Sequence, residues 1–230
     1  MNKILQQFRI FMVLSLFIFS STSSLGQNKY GVYVIDNKDS YKRSVARDSL
    51  KQMVELRSLI PDITYDLRYA TTHNFMRRKM YIGNIRHTFL RKPAAEALAK
   101  VQEELKTKGY GIKIFDAYRP YSVSVKFWDL VKDEKYVANP ARGSAHNRGL
   151  AVDLTLIDLQ TKAEVDMGTG FDNFSDTAHH SFNNVSPEVK QNRRLLKDTM
   201  KKFGFDFFDP EWCHYSWPNE NDYELLDLKL

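Results

Sequence analysis

The chain has 230 residues, 43% of them hydrophobic, and a formal net charge of +6. That length and apolar content suit one compact domain with a sizeable core and leave too little chain for two. The basic residues are scattered, and their densest cluster, Arg77, Arg78 and Lys79, lacks interleaved aromatic side chains. A solvated loop is therefore expected there and no nucleic-acid groove. The single cysteine, Cys213, rules out an intramolecular disulfide.

Residues 1–26 have the layout of a secretory signal peptide. Lys3 and Arg9 precede an apolar stretch, residues 10–19, that is too short to span a bilayer comfortably, and "STSSLG" follows with Ser24 and Gly26 at a cleavage spacing. Cleavage after Gly26 is expected. No cysteine stands there to take a lipid, so the expected product is exported, periplasmic or secreted, with no stable membrane span. Residues 27–48 are polar and read as an irregular lead, with the remaining domain over 49–230.

Within that domain "VELRSLIPDITYDLRYA" mixes short apolar alternation with a break at Pro61, which predicts short strands and loops. From Pro93 onward Ala94, Ala97, Leu98, Val101 and Leu105 form one stripe at helical period, ended by Gly109. "GIKIFDAYRP" then alternates as a strand that stops by Pro120, and Val123, Phe127 and Leu130 predict a second helix. A third helix is bounded by Ser186 as N-cap, Pro187 at its first position and Gly204 as its stop, with Val189, Leu196, Met200 and Phe203 on one side. The strands lack a regular βαβ rhythm. The expected fold class is therefore α+β, with a largely antiparallel sheet and flanking helices.

In "GSAHNRGLAVDLTL" the strand period sends Leu150, Val152, Leu154 and Leu156 to one face and Ala151, Asp153 and Thr155 to the other. A carboxylate in such a run needs water, a cation or a metal. His146, in the glycine-flanked turn upstream, can reach the same place. Taken alone, the two residues fit a hydrogen-bonded structural pair better than a metal site. "DPEWCHYSW" adds Glu211 and His214, which share a side only if the backbone turns at Glu211; otherwise His214 is a core histidine among Trp212, Tyr215 and Trp217.

Together these motifs resemble a known family. "SAHNRGLAVD" is similar to the Ser-x-His-x-x-Gly-x-Ala-x-Asp pattern, and "EWCH" to the Glu-x-x-His pattern, of the zinc D-alanyl-D-alanine dipeptidases, the VanX-like members of peptidase family M15. "YDLRYATTHNF", "DAYRP", "MGTGFD", "AHH" and "QNRR" resemble it too, in the same order, across about residues 50–217. Cys213 stands where familiar members carry an aromatic residue.

The resemblance implies one Zn2+ per chain in a cleft, held by His146, Asp153 and His214 with a further position for an activated water. It implies Glu211 as the catalytic acid and base and Arg119 as the stabiliser of the oxyanion. Tyr69 and Asp172 would meet the substrate ammonium, and Ser144 its carboxylate. His179 and His180 receive no ligand role. The expected activity is hydrolysis of the small D,D-dipeptide D-Ala-D-Ala to two D-alanines. Rival readings are a D,D- or L,D-carboxypeptidase trimming peptidoglycan peptides, and a non-catalytic zinc-containing wall-binding module.

Overall fold

A computed structural model of the chain describes residues 28–134 and 136–230. The signal peptide expected over 1–26 lies outside the described residues. Nine strands and six α-helices are present among them. In chain order these are β1 (Val34–Ile35), α1 (Lys38–Arg47), β2 (Met53–Glu55), α2 (Leu56–Leu59), β3 (Thr64–Tyr65), β4 (Phe89–Arg91), α3 (Lys92–Lys106) and β5 (Tyr110–Asp116). They continue with α4 (Tyr121–Val131), α5 (Ala145–Arg148), β6 (Ala151–Asp158), α6 (Pro187–Lys202), β7 (Asp206–Phe207), β8 (His214–Ser216) and β9 (Leu225–Leu226).

The central sheet has the order β3-β5-β6-β8-β7. Only β3 runs parallel to its neighbour; the other three pairings are antiparallel, so the class is α+β as expected. Two small sheets, β1 with β9 and β2 with β4, flank it. The alternation of β5 and β6 explains the layering. Ile112, Ile114, Val152, Leu154 and Leu156 join Leu98, Val101 and Leu105 of α3 and Leu196 and Met200 of α6 in one buried cluster. Truncating one of these to alanine typically costs about 2–5 kcal/mol.

The opposite face of the sheet carries Asp153, and there the short helix α5 and loop residues pack against it. Phe171 stacks on Phe115 at 4.9 Å between centroids, and the Arg68 guanidinium lies 5.0 Å from the same ring.

Helix ends follow their local chemistry. Ser186 accepts a hydrogen bond from the backbone N of Val189 at 3.1 Å, and Pro187 opens α6. Gly109 takes a φ of +85° after α3. Two expectations need correction. The lead expected over residues 27–48 is not irregular over its described part, residues 28–48, because β1 pairs with β9 and residues 38–47 form α1. Asn37 caps α1 through Ser40 N, and Asp39 and Arg47 suit its two ends, but "KDSYKRSVAR" has only Tyr41, Val45 and Ala46 as apolar residues, too few to reveal it. Leu130 is 49% exposed; α4 buries Tyr121, Val123, Ser124 and Phe127 instead.

One buried cation ties distant segments together. Arg91 has no exposed surface, and its guanidinium donates to the carbonyls of Lys51, of Arg148 at 2.8 Å and of Glu224 at 3.1 Å. Among the described residues no helix is long and apolar enough to cross a membrane.

Candidate active site

Register builds the first part of the site. Asp153 on β6 stands directly opposite His214 on β8, and opposite Asp116 on β5. The β5–β6 register shifts between Ile114 and Asp116, so a bulge at Phe115 brings Asp116 rather than Phe115 into the row. His214 is aimed by the turn before it. Glu211 N bonds to Phe208 O at 3.0 Å and His214 N to Glu211 O at 3.1 Å, which supplies the irregular backbone needed to bring Glu211 and His214 to one side.

His146 comes from α5, a single helical turn set by its own sequence. Ser144 Oγ accepts from Asn147 N at 3.2 Å, and Asn147 Oδ1 accepts from Ser144 N at 3.0 Å, a reciprocal cap. Gly149 ends the turn with a φ of +71°, and a Cβ there would come within 2.6 Å of Met53 Cε. Asn147, with no exposed surface, also donates to Arg119 O at 2.9 Å and to Ser124 Oγ at 2.8 Å, locking α5 to the "DAYRP" segment.

Two imidazole nitrogens and both oxygens of one carboxylate converge from these elements. His146 Nε2 lies 3.3 Å from His214 Nδ1 and 3.4 Å from Asp153 Oδ2, and His214 Nδ1 lies 2.9 Å from Asp153 Oδ1. Ligands of a four-coordinate ion at about 2.0–2.2 Å stand about 3.3–3.6 Å apart, so the set fits a small divalent cation with little adjustment. The outer nitrogens agree. His146 Nδ1 donates to Ala117 O at 2.7 Å, leaving its inner nitrogen as a lone-pair donor, and His214 Nε2 lies 3.1 Å from Ser216 Oγ, which is able to accept from it and free the inner nitrogen likewise. Burial alone would raise the Asp153 carboxyl, but the two imidazoles outweigh it and hold its pKa well below the usual range.

Arg119 sits beside this cluster. Its Nε and Nη2 reach Asp116 Oδ2 at 2.9 and 2.8 Å, and its Nη2 lies 3.8 Å from Asp153 Oδ2. Its guanidinium is 5.0 Å from the ring centroids of both Tyr69 and Phe127. Burial disfavours the cation, yet Asp116 together with Tyr69, Tyr81 and Asp153 offsets this and Arg119 stays charged. The Tyr69 hydroxyl donates to Asp172 Oδ1 at 2.7 Å, and Phe75 N to Asp172 Oδ2 at 3.4 Å. Asp172, at a φ of +58°, is pushed up to about 7, chiefly by burial. Burial likewise raises Glu211.

A single cleft of about 300 Å³ is lined by Tyr69, Arg119, Ser144, His146, Asp153, Asp172, Glu211 and His214. All eight residues singled out in the sequence therefore meet in one place. His179 and His180 do not line it; His180 packs on Phe207 and Tyr215. Cys213 lies behind the cleft, with Sγ within 4.8 Å of carboxylate oxygens of Asp153 and Glu211, and burial keeps its thiol protonated. Asp116, Tyr81 and Asn147 were not legible as site residues. Asp116 had one signal, a carboxylate three residues before Arg119 at the end of an apolar strand.

Residues 48–227 match the family model of peptidase M15, D-Ala-D-Ala dipeptidase. The chain is 35% identical over 175 residues to the D-alanyl-D-alanine dipeptidase of Escherichia coli (strain K12), covering 76% of this chain and 89% of that one. It is 34% identical over 179 residues to the D-alanyl-D-alanine dipeptidase of Enterococcus faecium, covering 70% and 88%. Among solved structures the LdcB LD-carboxypeptidase is similar at 19% identity and a TM-score of 0.42, over 74% of this chain and 70% of that one. With its catalytic-type cleft inside the matched span, the chain is a peptidase and belongs to the D-Ala-D-Ala dipeptidase family of M15.

Proposed function

We propose that this peptidase hydrolyses the free dipeptide D-Ala-D-Ala to two D-alanines with one zinc ion held by His146, Asp153 and His214. The observation that carries the reading is the convergence of those three donor atoms within 4.8 Å of one another in a cleft shared with Glu211, Arg119, Tyr69 and Asp172. Two neutral imidazoles and one carboxylate are a donor set suited to zinc. A bound zinc ion supplies Lewis acidity, which polarises the scissile carbonyl and lowers the pKa of water beside it.

The remaining chemistry belongs to the chain. Glu211, whose carboxyl burial has made more basic, takes the proton of the attacking water and delivers it to the departing amine. Arg119 presents a fixed positive charge to the oxygen that becomes anionic as the carbonyl carbon turns tetrahedral. Asp172, oriented by Tyr69, receives the substrate ammonium. Because Ser144 Oγ already accepts from Asn147 N, its own proton is free to be donated to the substrate carboxylate. These contacts recognise both charged ends of a free dipeptide.

Export is part of the same proposal. It is supported by Lys3, Arg9, the apolar residues 10–19 and the small residues that follow, and it suits turnover of wall-derived dipeptides outside the cytoplasm. The activity is tested with the purified zinc-loaded protein on D-Ala-D-Ala and on its N-acetylated form. A preference of about a hundredfold or more for the free dipeptide is expected, since acetylation removes the charge that Asp172 would pair. Equal hydrolysis of the two would make the protein a carboxypeptidase and overturn the assignment.

A further inference from the structure

Arg119 is gripped from the protein interior by a hydrogen-bond chain that begins outside every motif considered so far. Tyr81, in the loop between β3 and β4, is 8% exposed, and its hydroxyl donates to Asp116 Oδ1. Asp116, 1% exposed, uses its other oxygen, Oδ2, to receive both Nε and Nη2 of Arg119. The two acceptor atoms of one buried carboxylate are thus divided between a phenol and the guanidinium.

The Tyr81 hydroxyl is not what holds its loop. The backbone N of Met80 and of Tyr81 both donate to Tyr69 O, at 2.9 and 3.2 Å, and the Tyr81 ring packs edge-on against Tyr69 at 6.5 Å between centroids. Those contacts survive loss of the hydroxyl. What the hydroxyl adds is a second fixed point on Asp116. The terminal torsion of an aspartate is soft, so a carboxylate held only through Oδ2 is free to swing about that bond and carry the guanidinium with it. The other group near Oδ2, His146 Nδ1 at 3.9 Å, is committed to Ala117 O at 2.7 Å and does not pin it. Nor does the phenol ionise to serve as an acid, since burial pushes its pKa far up, and its hydrogen stays in place for Asp116.

We propose that Tyr81 is a positioning residue of the peptidase reaction, fixing the plane of Asp116 so that Arg119 faces the cleft in one orientation. The inference rests on the role given to Arg119 above. Tyr81 touches no substrate atom in this scheme; it acts through Asp116, and through its own closeness to the Arg119 guanidinium, on a cation whose value lies in the transition state. Its removal therefore lowers turnover rather than substrate affinity.

The test is a double-mutant cycle in the zinc-loaded protein with D-Ala-D-Ala. Tyr81→Phe is expected to lower kcat by about 10- to 100-fold, with KM within about twofold and metal content unchanged. In an Arg119→Ala background the same substitution is expected to change kcat by less than about twofold, because the group it orients is gone. Asp116→Asn, which keeps the side chain's shape, serves as a second variant should Tyr81→Phe fold poorly, and the same loss and the same disappearance are expected. Normal turnover in Tyr81→Phe while Arg119→Ala is crippled would overturn this proposal alone. So would an equal fractional loss in both backgrounds, the mark of a merely structural role. Normal turnover in Arg119→Ala would overturn both this proposal and the role given to Arg119.

Discussion

Replacing Asp172 by asparagine is expected to make the metal-free protein more stable while making the enzyme worse. The ordinary aspartate value of 3.8 rises to about 7 at Asp172, first because the carboxyl is buried and further because Asp153 lies nearby; the Tyr69 hydroxyl opposes the rise. A carboxyl whose pKa is higher in the folded than in the unfolded chain penalises folding whenever it is ionised. The penalty is absent below about pH 3.8, grows by about 1.36 kcal/mol per pH unit up to about pH 7, and is constant above, with a ceiling of about 4 kcal/mol. Asparagine cannot ionise and still offers an oxygen to Tyr69, but its amide meets Phe75 N where Oδ2 did. That mismatch costs about 1–3 kcal/mol, leaving a net gain of about 2 kcal/mol at pH 8. Urea unfolding with a chelator present, at pH 4.5 and pH 8, reads it directly. Asp172→Asn is expected to be the more stable protein at pH 8 and to lose that advantage at pH 4.5, while KM for D-Ala-D-Ala rises about 10- to 100-fold. An advantage that does not change with pH, or none at pH 8, would refute the reasoning.

Three further outcomes are expected. Glu211→Gln keeps its zinc, since Glu211 is not among the proposed ligands, but loses at least about a hundredfold in kcat; near-normal turnover by the folded, zinc-loaded variant would remove it from the mechanism. His214→Ala retains less than one zinc per chain after gel filtration, read by elemental analysis, because two of three donors remain on the cleft wall. Chelation lowers the melting temperature of the unmutated protein and added zinc restores it, since ligands that bind only the folded state stabilise it by mass action; a chelator-insensitive melt would argue against a metal on these donors.

How much of this was visible in the sequence depends on which physical rule made each element. Helices α3 and α6 were legible because their apolar residues recur at helical period and proline and glycine mark their ends. Helix α1 was not, because its stability comes from capping and from contact with distant segments, among them Ser44 with Glu224 Oε1 at 2.6 Å. At the site, the eight residues carried by family motifs all line the cleft. What spacing alone left open, whether Asp153 and His214 meet, is decided by strand register, which is a property of pairing between segments about 60 residues apart. Asp116 and Tyr81 were hidden for a related reason. A bulge turns Asp116 toward the site, and the partner it meets comes from a loop with no periodic pattern.

The buried guanidinium of Arg91 bears on how the molecule opens. Its carbonyl acceptors belong to residues 51, 148 and 224, and Arg148 lies two positions from His146. If the C-terminal segment peels away, a desolvated cation is left short of an acceptor, at a cost of about 1–3 kcal/mol, and the same holds if the segment after α1 lets go. Fraying at either end therefore gains little by stopping part-way. The two ends of the domain and the turn that carries His146 behave as one cooperative unit, whose slowest-exchanging amides report the integrity of the cleft rather than of the termini where they sit.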